Sequence, residues 1–425
     1  MLRISDDEYR RRLESLQDSV AEAGLDVFIV SALDSIYYLT GAGFEPLERP
    51  FFLLIPPRQA PILLVPKLEQ EHMRMARNIS AQDIQTYWDY PAPSGRGWPD
   101  RLHELIGDAK EIGVEPTLSQ EIAAELKNYR HRIEALVERL RLIKSDTEIA
   151  LIRRAARYAD FGVESLLAAS YYGSTVAEGF AQTRLVTTRI IREVDDWDYL
   201  TTKVSMATWA APRSSQPHSI PDLWDRLNEG PHVALVLTRV NGYAAETERT
   251  YFTAVPSPEI KEAFTAMTQA RRIALNKVRP GVPCGEVDGA VNDFLEQEGY
   301  SGEEVRLHRS GHGLGLGNHE APWLAEGSSD VLAENMVISI EPGIYLEGIG
   351  GLRHSDTVLI TQNGWELLTQ YPTDMESLTL TSWKLLARIK GGVTRRVLGM
   401  NHKTAPEQSN NPILQITSTL GRPVG

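Results

Sequence analysis

A chain of 425 residues with 42% hydrophobic and 24% charged residues has the composition of a globular protein, with length for two or three domains and a large core. Its net charge of −13 argues against a nucleic-acid partner, and the absence of any eighteen-residue uncharged apolar stretch argues against a membrane span. The single cysteine, Cys284, rules out an intrachain disulfide, and with no apolar leader after Met1 the expected compartment is the cytoplasm.

In chain order, Tyr9, Leu13, Leu16, Val20 and Ala23 fall at helical spacing and predict a helix over 6–24. Apolar runs at 26–30, 51–55 and 61–65 predict strands, followed by helices over 67–77 and after Ser119. The alternation predicts an α/β domain over residues 1–143, with a helical connector at 131–142. Ser145, followed three residues later by Glu148, has N-cap chemistry and opens a second domain, placed at 144–378. Helices dominate it to residue 192. Strands then alternate with long helices at 256–278 and 285–298. Cys284, in a turn into the second of these, reads as a small packed residue rather than a nucleophile. The remainder, 379–425, changes character: from Trp383 onward seven Lys or Arg residues face one acid, Glu407. A short helix at 380–390 and a poorly ordered or partner-packed tail are expected.

The chemistry lies in a few strings. His312 sits in Gly311-His312-Gly313-Leu314-Gly315, where the glycines imply close backbone approach. Glu341 precedes Pro342, which restricts its backbone. His319-Glu320-Ala321-Pro322 and Arg353-His354-Ser355-Asp356 follow in order. Glu246 and Glu248 are two apart on a predicted strand and so share a face, where two carboxylates raise each other's pKa or hold a cation.

With Lys144-Ser145, these strings resemble the creatinase/aminopeptidase family over roughly residues 1–375. The resemblance implies an α+β chain of two domains, an N-terminal α/β domain followed by a catalytic domain of "pita-bread" fold. Metal-dependent members such as prolidase and aminopeptidase P hold two divalent ions on two Asp, one His and two Glu. Here the matching positions read Leu235, Glu246, His312, Glu341 and Ser355, so two of the five ligands are lost. No acid lies between Gly230 and Ala245 to restore the first. The resemblance to metal-free creatinase assigns Glu248 as a substrate-binding carboxylate, His218 as general acid/base, and Arg49 as a carboxylate-binding residue supplied across a homodimer interface. Two further creatinase positions fall on His319 and His354, which argues against creatine itself.

The expectation is therefore a hydrolase cleaving a C–N bond of a small carboxylate-bearing molecule. His218, Glu248 and Glu341 would be catalytic, and Arg49, His312, His319, His354 and Glu246 would bind substrate. No cofactor is expected, with a single divalent metal on Glu246, His312 and Glu341 as the alternative. The rival functions are a metal-dependent Xaa-Pro aminopeptidase or dipeptidase, a non-catalytic peptide-binding member and a small-osmolyte lyase.

Overall fold

The computed structural model of the protein describes residues 1–89 and 91–400. The N-terminal part is built on one sheet of β1 (Val27–Val30), β2 (Phe52–Ile55), β3 (Ile62–Pro66), β4 (Ile84–Tyr87), β5 (Glu111–Val114) and β6 (Arg130–Ile133), in the order β4-β3-β2-β1-β5-β6. Both faces of its central strands are buried, which is why they read as continuous apolar runs rather than alternating ones. α1 (Asp6–Glu22) is capped by Ser5 and lays Tyr9, Leu13, Leu16 and Val20 on one face of this sheet. α2 (Leu33–Thr40) shares that core; α3 (Trp98–Ile106) and α4 (Gln120–Glu125) cover the other side.

Two local expectations fail here. Residues 67–77 form two short 3₁₀ turns, Lys67–Glu69 and His72–Met75, because Met73 is the one residue of these turns that is buried and no apolar stripe exists to hold a continuous helix. Residues 130–133 pair in parallel with β5 as β6, and only α5 (Leu136–Leu142) is the helical connector.

α6 (Asp146–Ala169) starts at a capping box in which Ser145 and Glu148 exchange side-chain-to-backbone bonds. α7 (Val176–Phe180) and α8 (Thr183–Glu193) follow. The second sheet comprises β7 (Lys203–Trp209), β8 (His232–Val240), β9 (Tyr243–Tyr251), β10 (Gly311–Gly313), β11 (Glu320–Leu324), β12 (Val337–Ile340), β15 (Ser355–Thr361) and β16 (Gly364–Leu367). Its order is β11-β10-β12-β15-β9-β8-β7, with β16 on β15. β13 (Gly343–Leu346) and β14 (Gly350–Arg353) form a separate hairpin. α6 packs across β8 and β9 from behind. α9 (Pro258–Lys277) and α10 (Cys284–Gln297) pack on each other, with Cys284 buried and free and its thiol pushed up to about 12 by burial. α11 (Leu385–Val397) is longer than expected and lies against α6 and α7; the part of the basic tail from 401 falls outside the described residues.

Candidate functional site

The site is made by the front face of the second sheet. β8, β9 and β15 are antiparallel neighbours, with Leu237 opposite Glu246 and with Leu235 and Ser355 both opposite Glu248. The two-residue period sends Glu246 and Glu248 forward and Thr247 and Arg249 backward. Each forward acid therefore sits beside a leucine. All four line one cavity of about 450 Å³ with Trp209, His218, His308, Arg309, His319, Glu341 and Arg353.

β10 and β12 deliver His312 and Glu341. A Cβ on Gly311 would lie 2.1 Å from the Ser339 carbonyl, and one on Gly313 would lie 2.1 Å from that of Ala321. Only glycine allows the backbone to approach this closely on both sides of His312. The ring is oriented by Nδ1–H donating to the Gly313 carbonyl at 3.0 Å. This aims Nε2 at Glu341 Oε1 (3.2 Å) and Glu246 Oε1 (3.7 Å). Burial alone would lower the His312 pKa, but the two carboxylates outweigh it and hold it at about 9. Burial raises Glu246, against His312 and a 2.8 Å bond from Ser355 Oγ. In Glu341 burial loses to His312, His308 and Arg353, and its pKa falls well below the usual range.

Glu248 is gripped by the guanidinium of Arg353, an ion pair buried on both sides. Burial still leaves its pKa raised, because the leucine wall offers no solvation. Arg353 also donates to Tyr345 Oη at 3.3 Å. Tyr345 donates onward to His308 Nε2 at 2.7 Å, while His308 Nδ1–H donates to the Arg309 carbonyl at 2.8 Å. Both nitrogens of His308 are thus engaged. Arg309 stacks over Trp323, its guanidinium carbon 4.4 Å from the ring centre, and is among the residues lining the cavity. His218 stands exposed at the mouth, on a loop tied down by Trp209 Nε1–H donating to the Ser219 carbonyl at 2.7 Å. His319 stacks on His312 with ring centres 4.0 Å apart, and burial of that face together with the His312 charge lowers it to about 4. Its neighbour Glu320 turns away to the connector, meeting Arg141 at 2.5 Å and Lys144 at 3.0 Å.

Of the residues singled out from the sequence, His218, Glu246, Glu248, His312, His319 and Glu341 come together. Two do not join them. His354 follows Arg353 and precedes Ser355, so strand alternation turns it to the back of the sheet. There it accepts a hydrogen bond from Thr250 N (3.2 Å), donates to the Thr373 carbonyl (3.1 Å), and is lowered to about 3 by burial. The expectation of a pocket-lining His354 is corrected; Arg353 takes the place. Arg49 sits in the N-terminal part, 3.4 Å from Asp89, beside a concavity that shares no lining residue with the site. Sequence reasoning missed Arg309, His308 and Tyr345. Arg353 was legible two positions before Ser355, on the same face.

A two-metal donor set is not complete here. Leu235 has no donor atom, and the Ser355 hydroxyl is spent on Glu246. One ion does fit: Glu246, His312 and His319 each offer a ligand atom, all within 4.8 Å of one another. His312 Nε2 lacks a conventional hydrogen-bond partner.

Comparison with known proteins gives the same architecture. The Creatinase/Prolidase N-terminal domain model matches residues 12–149, and the Metallopeptidase family M24 model matches residues 150–362. A putative dipeptidase, YkvY, of Bacillus subtilis (strain 168) is 30% identical over 86% of this chain and 99% of its own length. An uncharacterized peptidase of Staphylococcus aureus (strain MSSA476) is 29% identical over 85% of this chain and 99% of its own. The prolidase from Pyrococcus horikoshii OT3 superimposes with a TM-score of 0.71 at 26% identity, covering 86% of this chain and 99% of that one. A sheet carrying glutamates and histidines on its front face, following a creatinase-type N-terminal domain, with relatives named as peptidases, gives the assignment: the chain belongs to metallopeptidase family M24, and it is a hydrolase acting on C–N bonds.

Proposed function

We propose that the chain hydrolyses the amide C–N bond of a dipeptide or dipeptide-like acid. The observation that carries this reading is the Arg353–Glu248 pair. In a creatinase-like site Glu248 would be the carboxylate for a substrate guanidinium, but a guanidinium of the chain itself already occupies it. The names of the relatives (dipeptidase, peptidase, prolidase) support the peptide side of the same choice. The creatinase-like reading favoured by the sequence is therefore the weaker one.

The residues divide the work by protonation. With no ion bound, His312 is an imidazolium between two carboxylates and has no lone pair to act as a base. His308 is engaged at both nitrogens. His319 is stacked on His312 and lowered to about 4, a weak base near neutral pH, which leaves His218, at the cavity mouth, to take a proton from the attacking water. His218 returns that proton to the leaving amine nitrogen as the C–N bond breaks. Glu341, which lines the same cavity, orients the water. Arg309, always charged and planar, holds the substrate carboxylate. Arg49 adds a second cation if the chain forms a homodimer that brings one N-terminal domain to its partner's cavity. One divalent ion on Glu246, His312 and either His319 or Glu341 would polarise the scissile carbonyl when bound.

The test is a substrate screen on purified protein, with and without added divalent metal, comparing Xaa-Pro and other dipeptides with guanidino acids and cyclic amidines. Turnover of dipeptides is expected. Turnover confined to guanidino acids would reverse the reading of Glu248 and reject the proposal.

A further inference from the structure

The last described helix, α11, is mounted inside out. Its body-facing side carries Lys384, Arg388, Gly391 and Arg395. Lys384 Nζ donates to the carbonyls of Leu167 (2.7 Å) and Ser170 (3.1 Å) at the C-terminal end of α6. Arg395 pairs with Glu178, a side chain only 2% exposed that also accepts from Tyr171 Oη at 2.8 Å. Arg388 lies over the rings of Tyr171 (4.5 Å) and Trp383 (4.0 Å). A Cβ on Gly391 would fall 1.8 Å from Glu178 Oε2, so a glycine is needed for this approach.

The opposite side carries Leu386, Ile389, Val393 and Val397 at helical spacing, with exposures of 72%, 56%, 58% and 79%. Leu385 and Trp383 are exposed beside them. Surface helices ordinarily face the other way. Rotating α11 to bury this stripe would leave Glu178 buried without its cation and the α6 carbonyls without Lys384, so the polar docking fixes the apolar face outward.

We propose that this outer face docks on an anionic lipid surface, lying in the interface rather than crossing it. The charge pattern selects this occupant. Lys390 and Arg396 flank the stripe and are exposed, and no Asp or Glu occurs between Glu376 and Glu407, in a chain whose net charge is −13. A second copy of α11 would set like charges against each other. One helix of 13 residues also presents much less than the roughly 800 Å² per partner of a stable interface. Aliphatic side chains with a tryptophan at the edge and basic residues alongside match the acyl–headgroup boundary of an anionic bilayer. α11 lies beyond residue 362, where the match to the catalytic-domain model ends, and none of its residues lines the catalytic cavity.

Co-sedimentation of the full chain with vesicles tests it, using phosphatidylcholine alone and phosphatidylcholine with about one-third phosphatidylserine. Binding to the anionic vesicles is expected to exceed that to neutral ones by about tenfold or more at low salt and to fall as salt rises. Lys390→Gln with Arg396→Gln should weaken it by about 30-fold, and Ile389→Asp with Val393→Asp should abolish it. Both variants should keep wild-type turnover, which shows that the body is folded. Equal binding to the two vesicle types, no binding to either, or retention by the double Asp variant would overturn the proposal. So would a wild-type dimer that dissociates on Ile389→Asp, which would assign the face to a second copy.

Discussion

Asp356→Asn is the substitution that best tests how the site is held in shape. Asp356 follows Ser355 on β15 and points to the back of the sheet, fully buried. There it meets Arg249 at 2.7 Å, Arg271 at 2.6 Å and Thr369 Oγ1 at 2.9 Å. Arg249 also donates to the Ser355 carbonyl at 2.9 Å, so the cluster clamps β9 to β15 at the point where Glu248 and Ser355 are opposed. Asparagine keeps the shape and removes the charge, leaving two buried guanidiniums without their counter-ion. Breaking a buried pair from one side costs about 3–5 kcal/mol, a large part of the roughly 5–15 kcal/mol that keeps a domain folded. The urea midpoint should drop by about 1–2 M, followed by tryptophan fluorescence. The sign with pH is fixed as well. Burial would raise the Asp356 pKa, but the two arginines hold it below its ordinary value. Its contribution is present above the unfolded pKa of about 3.9 and is lost as pH falls through the lower folded value. The gap between wild type and variant should therefore narrow below about pH 4. A loss under about 1 kcal/mol, or a gap that does not change with pH, would show that water reaches the cluster and that it does not clamp the strands.

His232 and His354 are each held near 3 by burial, so acidification between about pH 6.5 and 3 should destabilise the fold; His354→Phe should reduce the slope of stability against pH by about 1.4 kcal/mol per unit, and an unchanged slope would mean that the ring is protonated in place. Glu320→Gln removes the counter-charge of the buried Lys144 and Arg141, so it should lower stability and, by misplacing His319, turnover as well; stability and kinetics identical to wild type would remove that role. Leu235→Asp combined with Ser355→Glu should raise the tightly bound divalent metal to two per chain by elemental analysis. No increase would mean that more than these two side chains separates this site from a dinuclear one.

The fold and most of the site were legible because they rest on period and order. Glu246 and Glu248 are two apart on a strand, and the glycines around His312 announce the close approach that the Ser339 and Ala321 carbonyls require. The same rule of alternation, applied one step further, would have exchanged His354 for Arg353. What stayed hidden is contact between distant segments. No local pattern says that Arg353 will lie on Glu248, that Tyr345 will bridge it to His308, or that Glu320 will serve the connector instead of the cavity. The 67–77 segment failed for a related reason: its helix-forming residues lack a buried stripe, and only packing decides such cases.

In the proposed mechanism His218, rather than His312, moves the proton in C–N bond hydrolysis. Turnover of His218→Ala beside His312→Ala, on the dipeptide identified by the screen, tests it most directly. A loss of about 10²–10⁴-fold is expected in His218→Ala with KM little changed, and a milder loss in His312→Ala. A nearly normal His218→Ala enzyme beside an inactive His312→Ala one would contradict it and make the metal-dependent peptidase the correct description.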